Sequence, residues 1–258
     1  MRAGRILAMA GAIVTGLAML PGGVLGQAPE PSVPLYQEPR HHVVYDSASM
    51  RIHDIQIPPG DTTLYHTHDT AILYVPIASS RTRSQVLGAE WGGGAAVAAA
   101  AAPAAAAPAP VPVEPVRPGK VNSVVTYVEK PYTHRVNNVG TTVFRLVAIA
   151  NRTTGATADT DDVSGLSATP EMVNKWYRAH RLVLKAGGAT APHRHATPVV
   201  VVMQTPGTAS AALADGANWL PLNGPGSFAR HDAGTHVVRN VGANDVELVE
   251  IEVRGAAK

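Results

Sequence analysis

The sequence repeats itself without a gap over a long stretch. Residues 50–75 align onto residues 177–202 at a constant offset of 127, and eight of the 26 aligned pairs are identical. A second motif also recurs, because residues 133–140 match residues 235–242. Matches at two separate places in each copy indicate one repeated folding unit. We therefore predict two domains of the same fold in one chain.

The composition suits two compact domains. The chain has 258 residues, of which 45% are hydrophobic and 16% charged, so it can bury a core, and disorder throughout is excluded. Short Val-rich or alternating segments recur at 121–128, 143–150, 178–184, 199–203 and 246–253, separated by Gly, Pro, Asn and Asp. This pattern predicts an all-β protein built as sandwiches or small barrels.

The charge balance argues against a nucleic-acid partner. Lys and Arg number 21 against 19 Asp and Glu, and two of the positive charges, Arg2 and Arg5, lie in a predicted leader. Without that leader the formal charge is zero. A chain with no net positive charge lacks the electrostatic footprint of a nucleic-acid-binding protein.

The first 28 residues read as a secretory signal peptide. An apolar run at 6–20 follows Arg2 and Arg5, and the breaker at 21–23 precedes small residues at 26–28. The alternative is a membrane anchor, but the run is short for a bilayer crossing. We expect a periplasmic or secreted protein that does not contact the membrane after signal cleavage. The chain has no cysteine, so any metal ligands are His or carboxylates.

Two low-complexity stretches divide the remaining chain. Residues 92–118 consist almost entirely of Ala, Pro, Gly and Val, a composition that predicts an extended surface insertion. Residues 153–169 are rich in Thr, Ser, Asp and Gly and are interpreted as a linker. The predicted domains are therefore residues 29–152, which carry the insertion, and residues 170–258.

Six of the eleven histidines fall on matched positions of the two copies. They are His66, His68 and His134 in the first copy and His193, His195 and His236 in the second. Side chains two apart in a strand share a face, so each His-x-His pair projects two imidazoles the same way. A third imidazole from a neighbouring strand would complete a set that binds Fe, Mn, Ni, Cu or Zn and leaves positions open. The alternative is a pair of hydrogen-bonded histidines without metal.

These motifs resemble those of the cupin superfamily. Cupins carry Gly, five residues, His-x-His and a later Glu, then a second motif with His, three residues and Asn. Five residues separate Gly60 and Gly187 from their His-x-His pairs, and three residues separate His134 from Asn138 and His236 from Asn240. The resemblance implies two tandem cupin jelly-roll barrels of six to eight strands, each with a metal site formed by its three histidines.

The sequence departs from the cupin pattern at the Glu. The carboxylate is expected at Ile72 or Leu73 in the first copy and at Val199 or Val200 in the second, and none of these residues is acidic. We therefore compare the chain with three-histidine cupins, including thiol dioxygenases and diketone-cleaving dioxygenases. A divalent metal held by neutral imidazoles alone keeps its full charge, which favours an anionic or bidentate ligand.

Two further residues recur in both copies. Arg51 and His53 are mirrored by Arg178 and His180. If they point into the barrels, the arginines could bind a carboxylate and the histidines could act as general acids or bases. The alternative is an Arg paired with a surface acid and a His bonded to a backbone carbonyl. By contrast, three histidines without counterparts are predicted at the surface, namely His41, His42 and His231.

Together these features predict an exported bicupin that binds a divalent transition metal and acts on a small oxygen-rich organic molecule. Dioxygenase-type chemistry comes first among the expected reactions, with metal-assisted isomerisation or hydrolysis second. The alternative is a non-catalytic periplasmic protein that binds a metal or a small molecule. A purely structural bicupin is a third hypothesis. The resemblance also implies a homodimer, since cupins often pair through strand exchange.

Overall fold

A computed structural model describes residues 31–93, 119–156, 163–213 and 220–255. Within these ranges the regular structure consists of strands and two short 3-10 helices. None of the helices in the described part of the chain is long and apolar enough to cross a membrane. The predicted signal peptide, and residues 94–118 of the predicted insertion, lie outside the described residues.

Barrel 1 is the name we give to the first ten strands. They are β1 (Ser32–Pro34), β2 (His41–Asp46), β3 (Met50–Ile57), β4 (Tyr65–His68), β5 (Ala71–Ala78), β6 (Thr82–Val86), β7 (Gly92–Gly93), β8 (Asn122–Val124), β9 (Tyr132–Asn138) and β10 (Phe144–Asn151). The 3-10 helices Leu35–Gln37 and Thr126–Val128 lie in the same barrel.

Barrel 2 is the name for the second ten strands. They are β11 (Val163–Ser164), β12 (Pro170–Val173), β13 (Tyr177–Leu184), β14 (His193–His195), β15 (Val199–Met203), β16 (Thr208–Leu213), β17 (Leu220–Asn223), β18 (Phe228–His231), β19 (Gly234–Asn240) and β20 (Val246–Val253).

The two barrels have the same topology. Each consists of two five-stranded sheets, ordered β1-β4-β9-β6-β7 and β2-β3-β10-β5-β8 in barrel 1. Barrel 2 repeats this order as β11-β14-β19-β16-β17 and β12-β13-β20-β15-β18. The predicted all-β fold of two tandem jelly rolls is confirmed. Each copy has ten strands rather than six to eight, because short edge strands extend the sheets.

Alternation along the central strands produces three hydrophobic cores. In β3, Ile55 and Ile57 face the interior of barrel 1, whereas Met50 and Ile52 face barrel 2. In β20, Leu248 faces the interior of barrel 2, whereas Val249 and Ile251 face barrel 1. Strands that are buried on both faces explain the near-continuous apolar segments of the sequence.

A buried tyrosine joins the two barrels. The hydroxyl of Tyr177 accepts a hydrogen bond from the Asn151 backbone N–H at 3.0 Å. The same oxygen lies 2.6 Å from the carbonyl oxygen of Ala71 and 2.7 Å from that of Ile149. Tyr177 belongs to barrel 2, and its three partners belong to barrel 1. These bonds therefore fix the packing of the two sheets across the interface.

Part of the predicted linker belongs to barrel 2. Val163–Ser164 pairs with β14, and Leu166 and Ala168 pack against the barrel 2 core. At the other end of the segment, the hydroxyl of Thr153 donates to the carbonyl of Arg254 at 2.8 Å. The described residues at both ends of this segment therefore contact barrel 2.

Candidate metal centres

Strand pairing brings the matched histidines together. His66 of β4 pairs directly with His134 of β9, and His193 of β14 pairs directly with His236 of β19. Directly opposed residues on one face of an antiparallel pair have their side chains about 4.5–5.5 Å apart at Cβ. The second histidine of each His-x-His pair lies two residues along the same face. This local geometry explains why three imidazoles converge in each barrel.

The glycine of each motif has a conformational role. Gly60 and Gly187 adopt φ values of +82° and +70°, and no neighbouring atom would contact an added Cβ. Other residues rarely adopt this left-handed conformation. The two glycines therefore form the turns that lead into the histidine strands β4 and β14.

Site 1 consists of His66, His68 and His134. One nitrogen of each ring lies within 4.8 Å of the others, and His68 Nε2 is 3.0 Å from His134 Nε2. His66 Nε2 is buried and has no hydrogen-bond partner. Two nitrogens that bind one metal at about 2.1 Å and at right angles to each other are about 3.0 Å apart. The spacing and the unpartnered nitrogen therefore fit a metal ion.

In His66 and His134, the Nδ1 atoms, which are not the proposed metal ligands, lie within hydrogen-bonding distance of other protein groups. His66 Nδ1 is 2.9 Å from the Leu64 carbonyl oxygen, and His134 Nδ1 is 2.9 Å from the Ser84 hydroxyl. A donor at Nδ1 places the lone pair of a neutral imidazole on Nε2. The carbonyl of Leu64 therefore orients His66 as a ligand, and Ser84 can do the same for His134.

A small cavity adjoins site 1. Its volume is about 40 Å³, and its walls include Ile55, Ile57, Tyr74 and Tyr127 beside the histidines. Tyr74 and Tyr127 are hydrogen-bonded to each other, and the ring of Tyr127 lies 4.9 Å from that of His68. Apart from the histidines, the side chains around the metal position are therefore mainly apolar and aromatic.

Two residues at site 1 were missed by the sequence analysis. His41 lines the same cavity, and its ring centroid lies 4.5 Å from that of His66. Its Nδ1 is 2.5 Å from Glu38 Oε2, and both side chains are buried. The prediction that His41 lies at the surface is wrong, because β2 pairs with β3 and turns His41 inward. His42 next to it is exposed, as predicted.

Site 2 consists of His193, His195, His236 and Glu250. His193 Nε2 is 2.8 Å from His236 Nε2, and Glu250 carboxylate oxygens lie 3.0 Å from His193 Nε2 and 2.6 Å from His195 Nε2. The four ligand atoms lie within 4.8 Å of one another. The expectation of imidazole ligands alone is therefore corrected for barrel 2, where the chain supplies a carboxylate as well.

The carboxylate of site 2 comes from a strand that the cupin motifs do not include. Val199 stands at the expected Glu position in β15, while Glu250 lies on the adjacent strand β20 opposite Val201. In a closed barrel, side chains from neighbouring strands reach the same interior point. The available signal was the placement of Glu250 and Glu252 inside the apolar strand β20, on the same face as Leu248.

A buried ion pair of Glu252 and Arg178 contacts His195 at Nδ1, the ring nitrogen that faces away from the metal position. Glu252 Oε1 accepts from His195 Nδ1 at 2.8 Å, and Glu252 Oε2 lies 3.4 Å from the Arg178 guanidinium. All three side chains are at most 5% exposed. A carboxylate at Nδ1 orients an imidazole for metal binding and raises its basicity. Glu252 therefore positions His195, and Arg178 balances the charge of Glu252.

The two sites have opposite protonation tendencies. Burial, together with the neighbouring His66, lowers the pKa of His134 to about 3. In site 2, burial also acts to lower the pKa of His195, but hydrogen bonds to Glu250 and Glu252 outweigh it and raise that pKa to about 9. Burial acts to raise the pKa of Glu250, yet its three histidine partners hold that pKa well below the usual range. Site 1 is thus neutral at physiological pH, whereas site 2 without a metal holds a buried ion pair.

The two arginines predicted as catalytic both pair with carboxylates. Arg51 forms two hydrogen bonds to Asp46, at 2.7 and 3.1 Å, and lies over the ring of Tyr36. Arg178 pairs with Glu252, as described above. The structure thus gives both arginines carboxylate partners within the chain, and their catalytic role stays a prediction.

The two histidines predicted as catalytic, His53 and His180, bond to backbone carbonyls. His53 Nδ1 is 3.2 Å from the His41 carbonyl oxygen, and His180 Nδ1 is 2.9 Å from the Ala168 carbonyl oxygen. His180 Nε2 is buried without a partner.

The prediction that His231 lies at the surface is wrong, because its side chain is buried in β18 and its ring lies 5.5 Å from that of His236.

Comparisons with known proteins agree with this architecture. No protein-family model matches the sequence, and no curated protein matches it. Among solved structures, AerE from Microcystis aeruginosa superposes with a TM-score of 0.52 at 11% identity, over 80% of this chain and 88% of that one. This likeness extends over both repeats and concerns the fold.

Two other solved structures are similar at lower scores. A cupin domain from Bordetella pertussis is 27% identical over 35% of this chain and 95% of that one, with a TM-score of 0.30. Salicylate 1,2-dioxygenase from Pseudaminobacter salicylatoxidans is 10% identical over 81% of this chain and 72% of that one, with a TM-score of 0.49. From its own repeated sheets and histidine motifs, the chain has the fold of the cupin superfamily, in its tandem form.

Proposed function

We propose that this protein is an exported bicupin enzyme that binds a divalent transition metal in each barrel and acts on a small oxygen-rich organic molecule in barrel 1. The observation that carries the proposal is the difference between the two sites. Site 1 has three imidazole ligands beside a cavity of about 40 Å³. Site 2 has a fourth ligand, Glu250, that belongs to the chain itself. Catalytic metal sites keep open positions, which assigns the reaction to site 1.

The residues of site 1 suit dioxygenase-type chemistry. A bound redox metal would supply electron transfer to O2 and a positive centre for an anionic substrate. His66, His68 and His134 would hold that metal on one side, which leaves the cavity side for substrate. The apolar walls, including Ile55 and Ile57, exclude bulk water from this space. Metal-assisted isomerisation or hydrolysis would use the same residues without O2.

Site 2 would bind its metal more tightly and support the fold. Glu250 neutralises one positive charge of a divalent ion, and Glu252 orients His195. Because β20 also packs against barrel 1, a metal in site 2 would stiffen the strand that joins the two barrels. In this proposal barrel 2 is a structural metal domain for the catalytic barrel 1.

A non-catalytic binding protein is the second candidate. The observation that favours it is the burial of site 1, where His66 and His68 are 0% and 2% exposed. A protein that sequesters a metal or a small ligand needs no exchange of substrate and product. The two candidates differ in turnover, and both predict metal in barrel 1.

Oxygen uptake separates these candidates. The mature chain, loaded in turn with Fe²⁺, Mn²⁺, Ni²⁺, Cu²⁺ and Zn²⁺, is tested with hydroxy acids, diketones and thiols in an oxygen electrode. The proposal predicts uptake with a redox metal, abolished in His66→Ala/His68→Ala and retained in Glu247→Gln, a control whose side chain lies on the opposite face of β20 from Glu250 and pairs with Arg181. Tight metal binding and ligand-dependent thermal shifts without any turnover would support the binding protein instead.

A further inference from the structure

A buried acid-histidine pair lies over the cavity of barrel 1. Glu38 Oε2 is 2.5 Å from His41 Nδ1, and Glu38 also accepts backbone N–H groups of Arg40 at 2.8 Å and Leu64 at 3.1 Å. Glu38 is 3% exposed and His41 is 5% exposed. A carboxylate with three donors is fixed in place, so the ring of His41 has a single orientation.

The pair is absent from barrel 2. At the offset of 127, Glu38 and His41 correspond to Gly165 and Ala168. The backbone of this segment is equivalent in the two barrels, because the carbonyls of His41 and Ala168 accept from the matched residues His53 and His180. The same backbone therefore carries an acid and an imidazole only in the barrel whose site adjoins the cavity.

His41 is placed to contact a ligand and not to bind the metal. The ligand nitrogens of His66, His68 and His134 lie within 4.8 Å of one another, and His41 is not a member of that set. Its ring nevertheless lines the cavity beside them. Since Nδ1 donates to Glu38, Nε2 of the neutral ring carries a lone pair and accepts a hydrogen bond.

We propose that the Glu38–His41 pair is a recognition element for a ligand hydroxyl, and that the ligand of site 1 is a small α-hydroxy acid. This inference rests on the proposed metal in site 1. A metal held by the three neutral imidazoles would attract the carboxylate of the ligand, and His41 Nε2 would accept a hydrogen bond from the neighbouring hydroxyl. The apolar walls, including Phe144 and Leu146, leave room only for a short hydrocarbon part.

The size of the cavity limits the ligand to a few heavy atoms. About 10–15 Å³ of such volume holds one water molecule. A cavity of about 40 Å³ therefore has room for about three water molecules, so only the smallest α-hydroxy acids, such as glycolate, approach its size. A larger aromatic acid would require Tyr127, Phe144 or their neighbours to move.

The inference is tested with the full chain loaded with Co²⁺, whose visible absorption reports ligands of the metal. The Co²⁺ absorption of site 1 is obtained as the difference between the spectra of the wild type and His68→Ala. Glycolate and acetate are the probes, because they share a carboxylate and differ in the hydroxyl. The wild type is expected to bind glycolate about tenfold more tightly than acetate, the value of one well-placed hydrogen bond.

The variants separate His41 from the metal ligands. His41→Ala and His41→Gln are expected to reduce the preference for glycolate to within about twofold, and Glu38→Gln to an intermediate value, with acetate binding and Co²⁺ content unchanged. The exposed neighbour His42 provides the control His42→Ala. A preference that survives in both His41 variants would overturn the inference, as would loss of Co²⁺ from site 1 in these variants. Absence of Co²⁺ from site 1 of the wild type would instead refute the proposed function, and this inference with it.

Discussion

Glu250 of barrel 2 and Ala148 of barrel 1 occupy the same position in their barrels. Glu250 pairs with His180 across β13 and β20, and Ala148 pairs with His53 across β3 and β10. One substitution at this position therefore separates a site with a carboxylate ligand from a site without one. The two repeats share a backbone and have different metal chemistry.

Removal of the Glu250 carboxylate tests this difference. Glu250→Gln is expected to weaken metal binding in site 2 by at least about 100-fold, because the metal loses an anionic ligand. Site 1 keeps its affinity, since Glu250 lies in the other barrel. Competition with a chromophoric chelator measures both constants. The control is Glu247→Gln, and equal metal affinities in Glu250→Gln and the wild type would refute the assignment.

The matched arginines are expected to differ in their effect on stability. Arg178→Met leaves the buried Glu252 with His195 as its remaining partner in place of two, which should lower the free energy of unfolding by about 2–4 kcal/mol. Arg51→Met breaks a partly exposed pair with Asp46 and should cost less than about 1 kcal/mol. Urea denaturation of the two variants measures the difference. Equal losses would show that the environment of the pair does not decide its contribution.

The repeat predicted the six histidines because strand periodicity is local. A His-x-His pair and a fixed turn glycine place three side chains in one barrel without knowledge of the other strands. Glu250 and His41 could not be found in this way. Their positions depend on which strands become neighbours in a closed barrel, and each lies in only one of the two copies. A search for identities between the repeats therefore misses the residues that make the barrels different.

Burial was also misjudged for residues outside the repeat. His231 lacks a counterpart because Val124 occupies the equivalent position in barrel 1, opposite Ile72 as His231 is opposite Val199. A residue that differs between repeats can be as buried as one that recurs. Its side chain direction follows from strand register, which no local pattern in the chain specifies.

Metal binding should release protons in one barrel only. The pKa of His195 is raised to about 9 by Glu250 and Glu252, despite its burial, so His195 is protonated at pH 7.5 before metal binds. We expect site 2 to release about one proton on binding. Site 1 should release none, because burial lowers the pKa of His134 to about 3.

Calorimetry in buffers of different ionisation enthalpy measures this release. His66→Ala/His68→Ala leaves site 2 alone, and His193→Ala/His195→Ala leaves site 1 alone. The binding enthalpy of site 2 should change with the buffer, and that of site 1 should not. Equal buffer dependence in the two variants would contradict the assigned protonation states.

Acid should destabilise the metal-free chain before the carboxylates titrate. Burial lowers the pKa of His53 to about 4 and that of His134 to about 3, from an ordinary value of 6.5. Between pH 6.5 and about pH 4, these histidines are protonated in the unfolded chain but neutral in the folded chain. The free energy of unfolding therefore falls as the pH drops below 6.5. The urea concentration at which chelator-treated protein is half unfolded should be lower at pH 5 than at pH 7. An equal midpoint at the two pH values would contradict the account.

The content of metal per chain tests the central claim most directly. Elemental mass spectrometry of the mature chain, purified without an affinity tag and reconstituted with the metal that it retains, should give about two ions per chain. His66→Ala/His68→Ala and His193→Ala/His195→Ala should each retain about one. A wild-type chain without metal after reconstitution, or a double variant with the wild-type content, would contradict the account of two independent metal sites.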